Sequence, residues 1–315
     1  GTGAAPADLG MVANAWWDRG TRKRRSCTTD PDVSPIGLTA EASDSHSARW
    51  MMTPTFADRL DAADPEARVV TFALKARSAI GLAGHGGDAV TWFENTTFAT
   101  SSAYGRAPWL VEYLKAHPIE TRSGATWSLL RPQSTYLGGD DDLGTRAPET
   151  WTTHFPHELP EAPAKTFYDR WSQSPFSDAY VADLAMTAID SLELGQRGGT
   201  DYLGVSFSGL DLVGHTFGPE SWEVQDMLAH LDVTLGRLIA HLDARVGTGN
   251  YVLALTADHG AAPVPERLEG KGGRVLTSTI RDTVEGALDT AFGPGDYLDD
   301  VYETEVYLSE AGLGG

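Results

Sequence analysis

The sequence predicts an α/β fold of three layers, α/β/α, with a mostly parallel central sheet. Three observations carry this: apolar runs of strand length, longer stretches with helical apolar spacing, and their alternation in the second half of the chain. Residues 201–207 read as a strand. Residues 221–245 read as a long helix, with Val224, Met227, Leu231, Leu235, Leu238 and Leu242 at helical spacing. Residues 250–256 read as the next strand and residues 278–291 as a further helix. A helix between two strands makes a crossover, the connection that joins parallel strands.

The first half is read in the same way. Residues 1–50 are rich in Gly, Pro, Ser and Thr and read as loop around the aromatic pair Trp16 and Trp17. A helix is expected from Thr53, with Pro54 in its first turn and Phe56 and Leu60 on one face. Residues 68–74 read as a buried strand. A Gly-rich turn, 81–87, then leads to a short strand over 89–93. Residues 107–117 read as helix. Residues 120–160 show no sustained period and read as a cap or insertion. Residues 176–196 read as an amphipathic helix with Leu184, Ile189 and Leu192 inward.

Composition bounds the function. The chain has 315 residues, 41% of them hydrophobic, enough to bury a sizeable core. Its formal net charge is −20, which argues against nucleic-acid binding and against an anionic membrane surface. A small phosphorylated substrate remains compatible, because a buried metal pair reverses the local field. Cys27 is the single cysteine, so the chain forms no internal disulfide. No apolar run approaches the roughly 20 residues of a membrane span, so no membrane insertion is expected. Nothing in the sequence fixes an oligomeric state. The chain opens at Gly1 without an initiator methionine and reads as a fragment or a processed chain.

Two of the expected strands end in residues that bind metals. The first is followed by Asp211, Gly214, His215, Gly218 and Pro219, and the second by Asp258, His259 and Gly260. Ligands of open α/β sheets collect at the carboxyl ends of strands, and one long helix joins these two ends. Carboxylate with imidazole suits zinc or a similar first-row cation. Either loop by itself also fits an ordinary turn with a capping residue; the two together, with their flanking glycines, favour a metal site. His154 and His157 share a His-x-x-His spacing in a Pro-rich loop without a suitable carboxylate, and read as structural. His85 and Asp88 read as turn residues. The 81–87 turn lacks the Gly-Lys-Ser/Thr ending of a P-loop.

The pattern Asp-x-x-Gly-His-x-x-Gly-Pro from Asp211, followed by Thr-Ala-Asp-His-Gly from Thr256, resembles the type I phosphodiesterase and nucleotide pyrophosphatase branch of the alkaline phosphatase superfamily. The resemblance implies an alkaline-phosphatase-like fold and two zinc ions (two Zn2+), with Asp211 and His215 on one and Asp258 and His259 on the other. Residues 1–18 resemble the segment that follows the nucleophile, in which Asn14 holds the place of an Asn that donates to a phosphoryl oxygen. Leu9 departs from the pattern, since relatives usually carry His there.

Residues 74–93 are similar to the phosphate-irrepressible bacterial alkaline phosphatases that use a threonine nucleophile. There a Lys and an Arg, matched by Lys75 and Arg77, clamp the non-bridging phosphoryl oxygens. By this resemblance the nucleophile and one further Asp ligand lie ahead of the segment matching residues 1–18. A further His ligand lies well beyond Asp-His-Gly, and no His follows His259. Residues 1–315 therefore read as a single incomplete catalytic domain.

The expected function is zinc-dependent hydrolysis of phosphate monoesters through a phospho-enzyme intermediate, with export to the periplasm as in relatives. The alternatives are a phosphodiesterase or nucleotide pyrophosphatase of the same branch, and a non-catalytic metal-binding homologue.

Overall fold

Val69–Ala73 is a fully buried strand of a five-stranded sheet, fourth in its order. Its order is Pro35–Gly37, Thr97–Ser101, Ala89–Glu94, Val69–Ala73, Tyr202–Ser206. Val69–Ala73 runs parallel to both of its neighbours. The other two pairings are antiparallel, so the sheet is mixed, with one parallel half. The reason is a tight hairpin. Glu94 faces Thr97 across a two-residue turn in which Asn95 takes a left-handed φ of 54°, and so short a connection joins only antiparallel strands.

Both faces of Val69–Ala73 are covered. Val70 and Phe72 join the main apolar core with Val181, Leu184 and Ile189 of the helix Pro175–Ser191. On the opposite side Thr71 Oγ1 donates to the Ala79 carbonyl of the helix Ala76–Ala83 at 3.0 Å. Alternation along one strand thus produces the expected layers.

The computed structural model describes residues 1–139, 148–268, 270, 272–303 and 305–314. They divide into two compact units, one of residues 1–10 and 28–264, the other of residues 11–27 and 265–315. In the second unit the hairpin Ala15–Asp18 and Lys23–Ser26 replaces the expected loop around Trp16 and Trp17. This unit also holds the helix Thr277–Phe292 and a hairpin of Leu298–Tyr302 with Glu305–Leu308. Arg24 pairs with Asp300 at 2.5 Å, and Trp17 donates to Asp299 at 3.2 Å.

In the first unit the helix expected from Thr53 begins at Phe56. Thr55 caps it in a reciprocal capping box with Asp58, which leaves Pro54 outside. The long helix is Trp222–Arg245. Residues 250–256 are not a strand. They pair with nothing in the described sheet, and Val252 is 97% exposed. An apolar run shows that a segment suits a sheet; it does not supply the neighbour whose backbone a strand needs.

The 120–160 excursion contains the short antiparallel pair Thr126–Trp127 and His157–Glu158; its stretch 140–147 lies outside the described residues. The long helix holds it through two buried carboxylates. Asp226 accepts from Trp127 Nε1 at 2.6 Å, from the Leu130 amide at 2.7 Å and from the Tyr136 hydroxyl. Glu223 meets His157 Nε2 at 2.9 Å. His157 is buried among Trp127, Trp151, Phe155 and Phe217, which settles its structural role.

Candidate active site

Parallel pairing in register, Ala73 beside Ser206, brings two carboxyl ends side by side. A helix starts just beyond each. From the first end comes the helix Ala76–Ala83, with Lys75 as its N-cap residue and Arg77 in its first turn. From the second comes the helix Gly209–Phe217. Asp211 and His215 were expected on a loop; they lie on this helix. The four-residue spacing puts them on one face, with His215 Nε2 at 3.3 Å from Asp211 Oδ1.

His259 reaches the same oxygen from the segment after the long helix, with Nε2 at 3.8 Å from Asp211 Oδ1. Its other ring nitrogen, Nδ1, is 2.9 Å from the Gly260 carbonyl. A carbonyl only accepts, so Nδ1 carries a proton and donates to it. Asp258 is largely exposed and lies against His259, with Oδ2 at 3.5 Å from Nε2.

Lys75 Nζ forms an ion pair with the second oxygen, Asp211 Oδ2. The sequence placed Lys75 on the substrate; the structure also gives it this carboxylate partner. Arg77 is exposed, and its side chain makes no ion pair or hydrogen bond among the described residues. Asn14 lies in the other unit, where it is exposed and its carbonyl accepts from the Cys27 amide at 2.9 Å.

Electrostatics follow from this crowding. Partial burial pushes the Asp211 carboxyl up, but Lys75, His215 and His259 together hold it below the usual carboxylate value. Its place in the first turn of a helix favours the anion further.

The donor chemistry suits a first-row cation: one carboxylate oxygen faced by two imidazoles, with a second carboxylate beside them. Among the described residues, however, no group of three or more His, Cys, Asp or Glu side chains is arranged to hold an ion. The imidazoles are turned toward Asp211, and Lys75 lies on its remaining oxygen.

One further residue holds the start of the helix that carries Asp211 and His215, and no motif points to it. Asp178, in the first turn of Pro175–Ser191, accepts a hydrogen bond from the Gly209 amide at 3.1 Å. The signal was an acidic residue on the inward stripe of that helix, in line with Val181, Ala182 and Ala185.

A family profile described as type I phosphodiesterase / nucleotide pyrophosphatase matches residues 1–288. The chain is 34% identical over 273 residues to alkaline phosphatase PafA of Elizabethkingia meningoseptica, covering 83% of this chain and 49% of that protein. It is 32% identical over 296 residues to alkaline phosphatase PhoV of Synechococcus elongatus, covering 89% of this chain and 52% of that protein. It thus spans about half the length of these relatives. The crystal structure of wild-type PafA superposes with a TM-score of 0.87 at 29% identity, over 99% of this chain and 62% of that one. Among the described residues no helix is long and apolar enough to cross a membrane. By the extent of the profile match and by the shared fold, the chain belongs to the type I phosphodiesterase / nucleotide pyrophosphatase family of the alkaline phosphatase superfamily.

Proposed function

We propose that the full-length protein is a metal-dependent phosphatase that hydrolyses small phosphate monoesters through a phospho-enzyme intermediate. In this reading Asp211, His215, Asp258 and His259 contribute to a site for two zinc ions, while Lys75, Arg77 and Asn14 act on the phosphoryl group. The observation that carries it is the meeting of Lys75 with the Asp211, His215 and His259 cluster at one sheet edge. The names of PafA and PhoV, two of the matching relatives and both alkaline phosphatases, support it.

Bound zinc would supply Lewis-acid stabilisation of phosphoryl oxygens and lower the pKa of a nucleophilic hydroxyl. The chain's own residues supply charge and orientation. Lys75, tethered by Asp211, presents a point charge at the strand end. Arg77, unpaired and two residues further on, presents a planar fork that suits two oxygens at once. A monoester carries more negative charge than a diester, so two cations favour the monoester. The Asn14 side-chain amide would add a neutral donor. The small phosphorylated substrate, the absence of nucleic-acid partners and of membrane insertion, and export to the periplasm belong to the same proposal.

The family description favours a second reading, a phosphodiesterase or nucleotide pyrophosphatase using the same residues. The test is zinc depletion and re-addition on the full-length protein, with an aryl phosphate and a bis-aryl phosphodiester as substrates. The proposal expects zinc-restored turnover that is faster on the monoester. Faster diester turnover selects the second reading. No turnover on either substrate in the zinc-loaded protein selects a non-catalytic homologue.

A further inference from the structure

The Gly209–Phe217 helix, which carries Asp211 and His215 as its third and seventh residues, is not capped by its own sequence. Ser208 precedes it, yet its side chain makes no capping hydrogen bond. The start of the helix is held from outside instead. Asp178 is 2% exposed, and its Oδ1 takes the Gly209 amide at 3.1 Å. Its Oδ2 is buried and has no hydrogen-bond partner among the described residues. The approach depends on glycine. A Cβ on Gly209 would lie 2.8 Å from Asp178 Oδ2 and 2.8 Å from Met227 Cε. A desolvated carboxylate with one oxygen unsatisfied is costly, and a Ser208 side-chain cap would serve the helix at lower cost. The cost falls at the root of the helix bearing two of the proposed metal ligands.

We infer that Asp178 is a positioning residue for this helix: its grip on the Gly209 amide sets the helix start, and with it the direction of Asp211 and His215. The inference rests on reading those two residues as metal ligands. Asp211 is only two residues from the anchored amide, about 3 Å along the axis, so a displaced start carries the carboxylate with it.

The experiment is zinc titration of the full-length protein by calorimetry, with amide exchange at Gly209 as the second readout. Asp178→Asn keeps an acceptor for the amide and should bind zinc within about 3-fold of the parent. Asp178→Ala removes the acceptor and should weaken zinc binding by at least about 10-fold, as outer partners of metal ligands typically do, with faster exchange at Gly209. Gly209→Ala leaves the carboxylate in place but crowds the helix away from it. It should weaken zinc binding in the same direction, which keeps the inference testable should Asp178→Ala fail to fold. Asp211→Asn reports on the metal reading itself and should weaken zinc binding most. Parent-like zinc binding by Gly209→Ala, or by folded Asp178→Ala, while Asp211→Asn loses it, would reduce Asp178 to a structural role. Parent-like binding by Asp211→Asn as well would overturn the metal reading and this inference with it.

Discussion

Lys75 and Asp211 form an ion pair across the carboxyl ends of two neighbouring parallel strands. Both side chains stay partly accessible, at 21% and 24%, so the pair faces the site and is not sealed in the core. One Asp211 oxygen is committed to Lys75 and the other faces His215 and His259.

That arrangement separates two roles that the sequence alone places together. In the full-length protein, Lys75→Ala and Arg77→Ala should each slow monoester hydrolysis on the order of 10²-fold, as for other donors to a transition state, and slow diester hydrolysis much less. Arg77 holds nothing in the fold, so its loss should leave the urea midpoint unchanged. Loss of Lys75 should also shift that midpoint, because it leaves Asp211 without its ion-pair partner. Equal losses on both ester classes would make the pair structural.

Asp178 should leave a signature in the pH dependence of stability. Burial pushes its carboxyl from 3.8 up to about 7, against the pull of the Gly209 and Ser208 amides. Between those values the folded state keeps a proton that the unfolded chain has lost. Unfolding therefore releases a proton, and this group's contribution to stability is lost as pH rises from about 4 to about 7. Asp178→Asn should remove that slope, which amounts to on the order of 4 kcal/mol across the window. Urea unfolding at several pH values checks this, and identical slopes for parent and variant would contradict it.

Asp226 gathers three donors from the 120–160 excursion while fully buried. Asp226→Ala orphans all three at once. It should cost about 3 kcal/mol or more in urea unfolding, with increased protease cleavage between Trp127 and Tyr136. A midpoint within error of the parent would show that the excursion is held by its aromatic packing instead.

Thr55 accepts the Asp58 amide at 3.0 Å and donates to the Ala83 carbonyl at 3.0 Å, which ties the start of one helix to the end of another. Thr55→Ala should cost about 1–2 kcal/mol, and Thr55→Ser, which keeps both bonds, should recover most of it. Equal effects of the two substitutions would assign the loss to the missing methyl group.

The strands around Val69–Ala73 and Ala89–Glu94, and the helix Trp222–Arg245, were legible because their signals are local. Continuous burial, helical spacing and turn chemistry act over a few residues and need no knowledge of the rest of the chain. The meeting of Asp211 with His259 was expected from a strand–helix–strand order, but the second strand did not form, so that contact rests on the tertiary structure and not on the expected sheet. The helix under Asp211 was missed, since glycine-rich flanks read as loop. The 250–256 run misled for the opposite reason: its composition suits a sheet, but strand formation belongs to a pair of segments. The tertiary structure alone decided that Lys75 would meet a carboxylate 136 residues away and that Asp178 would hold an amide 31 residues away. Such contacts depend on strand order, register and the seat of each helix, quantities set by the packing of the whole sheet and carried by no single segment.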